Sequence, residues 1–361
     1  MSEQVLPIVS IIIINYNGYY YLDRCIESIL QSSSPNCEIV VVDNASIDKT
    51  VEKIRHKFDG RVKVVALSRN CGPAIARNRG ASITTGKYLG FLDNDTVVDP
   101  DWAAQAVKKF EEDRSIGVIQ CKLVLLGEKS KIDYVGEFLG QNGFLVQVAF
   151  AGETDCGQFE EDYEILAAKS AGMFIRKDAF DRIGGFDEDY FMYVEETDLG
   201  WRSWLAGYKS VYNHKSIVYH EFGSSSVILG KDVVDYNVKF HGAKNYVLTL
   251  YKNLGTQELI KILPMHIMIW IGISFHSLFK KNWKTFLLVH KAMFWNIQNF
   301  TRSHSKRSKI QKSRRISDSD LFRKILRRRE LSYFLRKVTV DSKVGNAESL
   351  WGSYRQRGTS Q

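Results

Sequence analysis

The first third of the chain alternates short apolar runs with segments of helical periodicity. Residues 9–15 form an unbroken, mainly β-branched run, which predicts a strand covered on both faces. Residues 20–31 repeat their apolar positions every three or four residues, as an amphipathic helix does. The pattern then predicts strands at 38–43, 62–67, 88–92 and 116–126, and helices from a Ser46 cap to Phe58, at 74–82, and at 101–111 after an Asp99 cap and Pro100.

This order of elements predicts a Rossmann-like, doubly wound α/β fold with a mostly parallel sheet. Each helix returns the chain across the sheet, so consecutive strands run in the same direction. After residue 126 the alternation weakens, and residues 127–170 show no clear period. Short helices are predicted at 178–183 and 195–206, because glycines follow both segments.

The C-terminal part contains an apolar segment at residues 259–279. It is long enough to span a bilayer, which takes about 20 apolar residues. However, Lys261, Pro264, His266 and His276 interrupt it, and polar groups are costly at bilayer depth. We therefore expect a monotopic or re-entrant placement, and the alternative is a helix pair that packs on the rest of the protein.

The basic charge of the chain is concentrated after this segment. The formal net charge is +9, and residues 280–329 hold 16 Lys and Arg against two acidic residues, so the remainder carries about −5. Trp283 and Trp295 lie among these basic residues, and aromatic anchors beside lysines suit a headgroup region. We expect an anionic membrane surface as partner rather than nucleic acid, because the acidic remainder shows no nucleic-acid-binding motif.

Polar side chains follow three of the predicted strands. Asp93 and Asp95 end the strand at 88–92, and two carboxylates there could hold Mg²⁺ or Mn²⁺ on a diphosphate. A solvated turn is the alternative for this segment. Asp43 ends another strand and could accept a hydrogen bond from a ribose or a base, although it could also cap a turn. Asn15 and Asn17 end the first strand in the same way.

Cationic, acidic and imidazole groups complete the candidate chemistry. Arg69, Asn70 and Arg77 lie near the same predicted edge, where arginine suits diphosphate oxygens. A solvated basic helix face is the alternative. His220 could complete a metal site that carboxylates begin, or it could be structural.

Three acidic residues open the predicted helix at 195–206. Glu195, Glu196 and Asp198 could supply a general base for an acceptor hydroxyl. They could instead only stabilise the helix, because acidic residues in the first turn interact favourably with the helix dipole. Asp198 also has the spacing to pair with Arg202.

Taken together, these segments resemble glycosyltransferase family 2, especially its rhamnosyltransferase-like branch. The resemblance covers about residues 9–226 and rests on the order and spacing of the segments at 12–17, 41–46, 69–72, 76–78, 91–95, 184–188, 195–202 and 219–220. It implies a GT-A fold and an inverting transfer of a sugar from a nucleotide-diphosphate donor.

The resemblance also implies roles for individual residues. Asp43 would contact the base, Asp93 the ribose side and Asp95 the metal, with His220 as a later ligand. The Glu-Asp motif of the family falls on residues 195–196, where this chain has Glu196 in place of Asp. By its position in this motif Glu196 would take the proton, but the choice among the three acidic residues stays open.

From these observations we predict three regions. Residues 1–230 would form the catalytic domain, with a nucleotide-binding half at about 1–126 and an acceptor-binding half at about 127–230. Residues 231–337 would be helical, basic and membrane-associated on the cytoplasmic face, near a lipid-linked or polysaccharide acceptor. Residues 338–361 would form a flexible tail. The rival functions are a non-catalytic, membrane-docked nucleotide-sugar-binding protein and a sugar nucleotidyltransferase.

Overall fold

The computed structural model of this protein describes residues 8–33, 36–221, 228 and 230–330. Its strands are Val9–Asn15 (β1), Cys37–Asp43 (β2), Lys63–Ala66 (β3), Tyr88–Asp93 (β4), Thr96–Val98 (β5), Ile116–Leu125 (β6), Lys131–Tyr134 (β7), Glu137–Gly140 (β8), Leu145–Gln147 (β9), Glu153–Thr154 (β10), Tyr163–Ile165 (β11), Met173–Arg176 (β12), Lys209–His220 (β13) and Leu326–Arg327 (β14).

Helices connect these strands and then make up most of the C-terminal third. They are Tyr19–Gln31 (α1), Thr50–Lys57 (α2), Pro73–Ala81 (α3), Trp102–Glu112 (α4), Lys177–Ile183 (α5), Glu195–Leu205 (α6), Lys231–Asn253 (α7), Thr256–Phe279 (α8), Trp283–Gln298 (α9), Phe300–Ser313 (α10) and Asp318–Ile325 (α11), with a 3₁₀ turn at Ser170–Gly172. The predicted tail at 338–361 and residues 331–337 lie outside the described residues.

The central sheet confirms the predicted α/β fold. Strands β3, β2, β1 and β4 are neighbours and run parallel. Strand β12 inserts antiparallel between β4 and β6, and β13 pairs parallel with β6. The sheet is therefore mostly parallel at its centre and mixed towards β6. Residues 127–170, which showed no period, form the short strands β7 to β11.

The β-branched run of β1 is buried on both faces, as predicted. Ile11 and Ile13 belong to the core that α1 and α4 cover, whereas Ile12 belongs to the core on the side of α3. A third core joins α6 to the C-terminal helices, with Trp204 and Val289 among its members. The helices after residue 230 therefore pack directly on the sheet-bearing part of the chain.

Two predicted helix starts are wrong. Ser46 does not cap α2, which begins at Thr50, because its hydroxyl instead accepts a hydrogen bond from the Asn17 amide at 2.8 Å. Helix α4 begins at Trp102, after Asp101 rather than after Asp99. In both places the chain first completes a loop before it can continue as a helix.

Candidate active site

The carboxyl ends of three parallel strands lie side by side. Asn15 is in register with Asp43 of β2, and Ile14 is in register with Asp93 of β4. The side chain of Asn15 donates a hydrogen bond from Nδ2 to the Asp43 carboxylate at 3.1 Å, and its Oδ1 accepts one from the Asn94 side chain at 2.7 Å. Hydrogen bonds through Asn15 therefore fix the spacing of the three strand ends on which the sequence placed candidate ligands.

The loops at this edge hold the other predicted nucleotide-binding residues. Asn17 has a φ of +50°, and its side chain accepts from the Ile47 amide at 2.8 Å. Asn70 accepts from the Gly72 amide at 3.0 Å, and Arg69 beside it is exposed. Asp43 is 2% exposed. Arg69 therefore brings a solvent-accessible positive charge to this edge of the sheet.

Asp93, Asp95 and His220 form a cluster of metal-ligating side chains. One donor atom from each lies within 4.8 Å of the others. The strand β5 explains how His220 reaches the cluster, because it follows Asp95 directly and pairs His220 with Thr96. Two carboxylates and an imidazole in this arrangement fit a divalent cation.

Asp133 orients His220, and sequence reasoning missed it. Its carboxylate lies 2.9 Å from His220 Nδ1, while His220 Nε2 lies 3.3 Å from Asp95. Burial alone would lower the pKa of His220, but the hydrogen bonds to Asp133 and Asp95 raise that pKa to about 10. Asp133 sits where the pairing of β6 and β7 shifts register, and such bulges redirect side chains. The sequence contains no local signal of that shift.

Arg77 is buried among carboxylates. Its guanidinium lies 3.0 Å from Asp93, 2.9 Å from Glu195 and 3.9 Å from Glu196, and its side chain is 4% exposed. The sequence suggested a direct contact of Arg77 with a diphosphate. The observed contacts favour a role in holding these acidic side chains together instead, because Glu195 and Asp93 already accept hydrogen bonds from the two terminal nitrogens of the guanidinium.

The three candidate bases have different environments. Asp198 is fully buried and ion-paired with Arg202 at 2.7 Å and with Lys252 at 2.9 Å, which lowers its pKa despite burial. Glu195 is 3% exposed, and burial together with the charge of Glu196 raises its pKa to about 8 against the opposing effect of Arg77.

Glu196 is the member of this acidic group that solvent reaches. Its side chain is 20% exposed. The backbone amide of Ser170 donates to one carboxylate oxygen at 2.9 Å, and the Ser170 hydroxyl donates to the same oxygen. These bonds leave the other oxygen of Glu196 outside the contact with Ser170.

Lys169 is a second residue that sequence reasoning missed. It is half-buried, immediately precedes Ser170, and its ammonium lies 4.2 Å from the ring centre of Tyr134. Burial raises the pKa of Asp133, but the hydrogen bond with His220 and the charges of His220 and Lys169 lower it overall. A cation therefore lies within electrostatic reach of the metal-ligating cluster.

Comparison with known proteins shows what this chain is similar to. Residues 10–184 match the model of glycosyl transferase family 2. An uncharacterized glycosyltransferase of Haemophilus influenzae is 31% identical over 34% of this chain and 39% of its own length. The succinoglycan biosynthesis protein ExoO of Rhizobium meliloti is 28% identical over 64% of this chain and 66% of its own. Each match therefore spans less than two thirds of the relative.

A solved structure supports the fold. The structure of GalNAc-T7 with UDP, GalNAc and Mn²⁺ superposes with a TM-score of 0.55 and 21% identity, over 71% of this chain and 49% of that one. At this identity the likeness concerns the fold, which is GT-A. This chain therefore matches glycosyl transferase family 2 through residues 10–184, which contain most of the strands of the central sheet.

Proposed function

We propose that this protein is a metal-dependent, inverting glycosyltransferase that moves a sugar from a nucleotide diphosphate to an acceptor hydroxyl. The observation that carries the proposal is the cluster of Asp93, Asp95 and His220, whose donor atoms lie within 4.8 Å of one another. It stands at the carboxyl edge of the sheet, where open α/β folds bind ligands. Glu196 lies close by, 3.9 Å from the same Arg77 nitrogen that pairs with Asp93.

The metal ligands would be Asp95 and His220. Carboxylates suit Mg²⁺ and Mn²⁺ alike, whereas an imidazole ligand favours Mn²⁺, because Mg²⁺ prefers oxygen. When bound, the ion would neutralise the diphosphate of the donor. Asp133 would hold His220 with Nε2 turned towards the ion, as hydrogen-bonded carboxylates do for ligating histidines.

The nucleotide would lie along the strand ends. Asp43 and the Asn15 and Asn17 loop would face the base, and Asp93 would face the ribose side. Arg69 is exposed and so able to meet phosphate oxygens, with Asn70 shaping the loop beside it. Lys169 is a further candidate for that charge.

Glu196 would act as the general base. Ser170 holds one of its oxygens, so the second can accept the proton of the acceptor hydroxyl. The acceptor oxygen bonds to the anomeric carbon as the bond from that carbon to the diphosphate oxygen breaks. A single displacement from the opposite face inverts the carbon, and no covalent enzyme intermediate forms.

A test of this function uses a panel of nucleotide sugars with a hydroxyl acceptor, in Mn²⁺, in Mg²⁺ and in chelator. We expect release of the nucleoside diphosphate with transfer, and loss of both in chelator. Asp95→Asn should weaken Mn²⁺ binding, measured by electron paramagnetic resonance, while leaving the fold intact. Full activity in chelator would overturn the metal assignment. Donor binding without any transfer would favour the non-catalytic binding protein, and nucleotide transfer would favour a nucleotidyltransferase.

We further propose that the acceptor is a lipid-linked or polysaccharide chain at the cytoplasmic face of a membrane. The name of the Rhizobium relative, a succinoglycan biosynthesis protein, is in line with a polysaccharide product. Rhamnose as the sugar follows from the resemblance to that branch of the family alone. The donor panel distinguishes rhamnose from other sugars.

The surface that would meet the membrane is the hairpin of α8 and α9. By length and composition α8 could cross a membrane. However, one face packs on the sheet-bearing part, since His266 is fully buried and bonds to the Asn142 carbonyl at 2.9 Å. A helix held this way favours a monotopic placement. The opposite face exposes large apolar side chains, which are Ile260, Met268, Ile271, Phe275, Leu278 and Phe279.

The turn between the two helices adds charge to this apolar face. Lys280, Lys281 and Lys284 are exposed there, next to Phe279 (86% exposed) and Trp283 (59% exposed). Each basic residue near an anionic surface contributes about 1 kcal/mol. Two other cations of the basic region are occupied within the protein, since Arg302 and Lys306 pair with Asp189. The hairpin turn is therefore the part of the basic region best suited to lipid.

Flotation of the full chain with liposomes tests this placement. Phe279→Ser with Trp283→Ser should reduce binding to anionic vesicles, and high salt should reduce it further. The matched control is Tyr20→Ser with Ile83→Ser, which removes exposed apolar side chains from the sheet-bearing part. Equal flotation of the two double variants would contradict the docking surface.

A further inference from the structure

The backbone that leads into α6 is strained. Tyr193 and Val194 have φ values of +66° and +67°, immediately before Glu195. A positive φ is unfavourable for a β-branched residue, because its Cβ crowds the neighbouring carbonyl. Such a conformation persists only where the surrounding structure enforces it, and residues of this kind concentrate at functional sites.

A single side chain on α7 holds this segment. The Asn245 amide donates one hydrogen bond to the Met192 carbonyl at 2.8 Å and another to the Tyr193 carbonyl at 2.7 Å. Asn245 is fully buried, so water does not compete for these bonds. Two successive carbonyls are thus fixed to a rigid helix at the place where the chain turns into the left-handed conformation.

Neighbouring positions on the same face of α7 hold the preceding residues. Lys244 donates to the Asp189 carbonyl at 2.7 Å, the Thr249 hydroxyl bonds to the hydroxyl of Tyr190 at 2.6 Å, and Lys252 pairs with Asp187. These side chains are buried although they are polar. A buried polar group that loses its hydrogen-bond partner is costly, so these contacts hold residues 187–190 in one position against α7.

We propose that Asn245 is a positioning residue for the general base. By fixing the carbonyls of Met192 and Tyr193, it sets the direction of the first turn of α6 and hence the place of the Glu196 carboxylate. This inference rests on the proposed role of Glu196. It assigns part of the catalytic geometry to a helix that lies beyond the region matched by the family model.

The first test is Asn245→Ala in the full chain. We expect kcat to fall at least tenfold, with the KM for the donor and the affinity for UDP and Mn²⁺ changed less than twofold. Hydrogen exchange should rise in residues 190–198. Asn296→Ala is the matched control, because Asn296 donates to the Lys244 carbonyl at 3.1 Å on the same helix pair without touching the segment. It should leave both readouts within twofold of wild type.

A double-mutant cycle with Val194→Gly separates positioning from general damage. Glycine reaches a φ of +67° without the steric cost, so the strained turn needs less support. The factor by which Asn245→Ala lowers kcat should therefore be at least three times smaller in the Val194→Gly background than in wild type. Additive effects, an unchanged kcat, or an equal loss in Asn296→Ala would overturn the proposal. If the wild-type protein transfers no sugar, the proposed function fails. The contact of Asn245 with residues 192 and 193 is tested separately, because unchanged hydrogen exchange in Asn245→Ala would refute it whether or not sugar is transferred.

Discussion

Glu195 makes the stability of this protein depend on pH in a direction that a simple ion pair would not. It lies 2.9 Å from Arg77, yet it is 3% exposed, and burial and the neighbouring Glu196 raise its pKa to about 8. Because burial outweighs the effect of Arg77, Glu195 holds a proton at neutral pH. The informative change is Glu195→Gln, which keeps the shape and removes the ionisable group.

The sign and the size of the effect follow from the two pKa values. Between the usual value of 4.5 and the folded value of about 8, the folded protein keeps a proton that the unfolded chain loses. The free energy of unfolding of wild type therefore falls as pH rises through this window. At 1.36 kcal/mol for each pKa unit, the loss reaches about 5 kcal/mol above pH 8. The glutamine variant has no such proton, so it should escape this loss.

Denaturation by guanidinium at pH 5, 6.5 and 8 measures the difference between the two proteins. We expect Glu195→Gln to be close to wild type at pH 5 and increasingly more stable than wild type towards pH 8. A variant that is less stable than wild type by a constant amount at every pH would refute the reasoning, because it would mean that Glu195 is ionised and paired with Arg77.

The matched control is Glu38→Gln. Burial raises the pKa of Glu38, but hydrogen bonds from Lys63, Ser10 and the Thr85 amide outweigh it and lower that pKa to about 2. The stability that Glu38 contributes is therefore present above its unfolded pKa and disappears as pH falls towards 2. Its replacement should destabilise the protein equally from pH 5 to pH 8, in contrast to Glu195→Gln.

Three further substitutions test other parts of the structure. Glu196→Gln should lower kcat by roughly a hundredfold, because that is the usual cost of losing a general base, while UDP binding measured by calorimetry stays unchanged. Turnover near that of wild type would show that Glu196 is not the general base. Lys252→Met leaves buried Asp198 without one of its cations, so it should lower the free energy of unfolding by roughly 3–5 kcal/mol in guanidinium denaturation. A loss below about 1 kcal/mol would show that stability does not require this ion pair. Gly72→Ala should lower the melting temperature, because Gly72 has a φ of +81° and an added Cβ would lie 2.4 Å from the Phe191 carbonyl; an unchanged melting temperature would contradict that contact.

Local sequence determined the alternation of strands and helices and the polar ends of the strands. The apolar run of β1 is buried on both faces, as its β-branched residues predicted. Asn15, Asp43 and Asp93 meet at one edge because parallel strands place their carboxyl ends together. Such features depend on residues that are near one another in sequence or on the general geometry of a parallel sheet.

The environments of the three acidic residues of α6 are decided only by the tertiary structure. The sequence offered Glu195, Glu196 and Asp198 as candidates for the base, and the family resemblance favoured Glu196 without deciding between them. Packing separates them, because burial against α7 pairs Asp198 with Lys252, while Glu195 faces Arg77 and Glu196 reaches solvent. Exposure and charge pairing depend on which distant elements cover a helix, and one helix sequence does not contain that information.

The contacts of Asp133 and Asn245 show the same limit most clearly. Asp133 meets His220 through a register shift between β6 and β7, and Asn245 reaches the Tyr193 carbonyl from a helix far along the chain. Neither residue stands in a recognisable motif. A strand register and a helix docking are set by the combined burial of many side chains, so a polar contact that depends on them is decided only when the whole fold has formed.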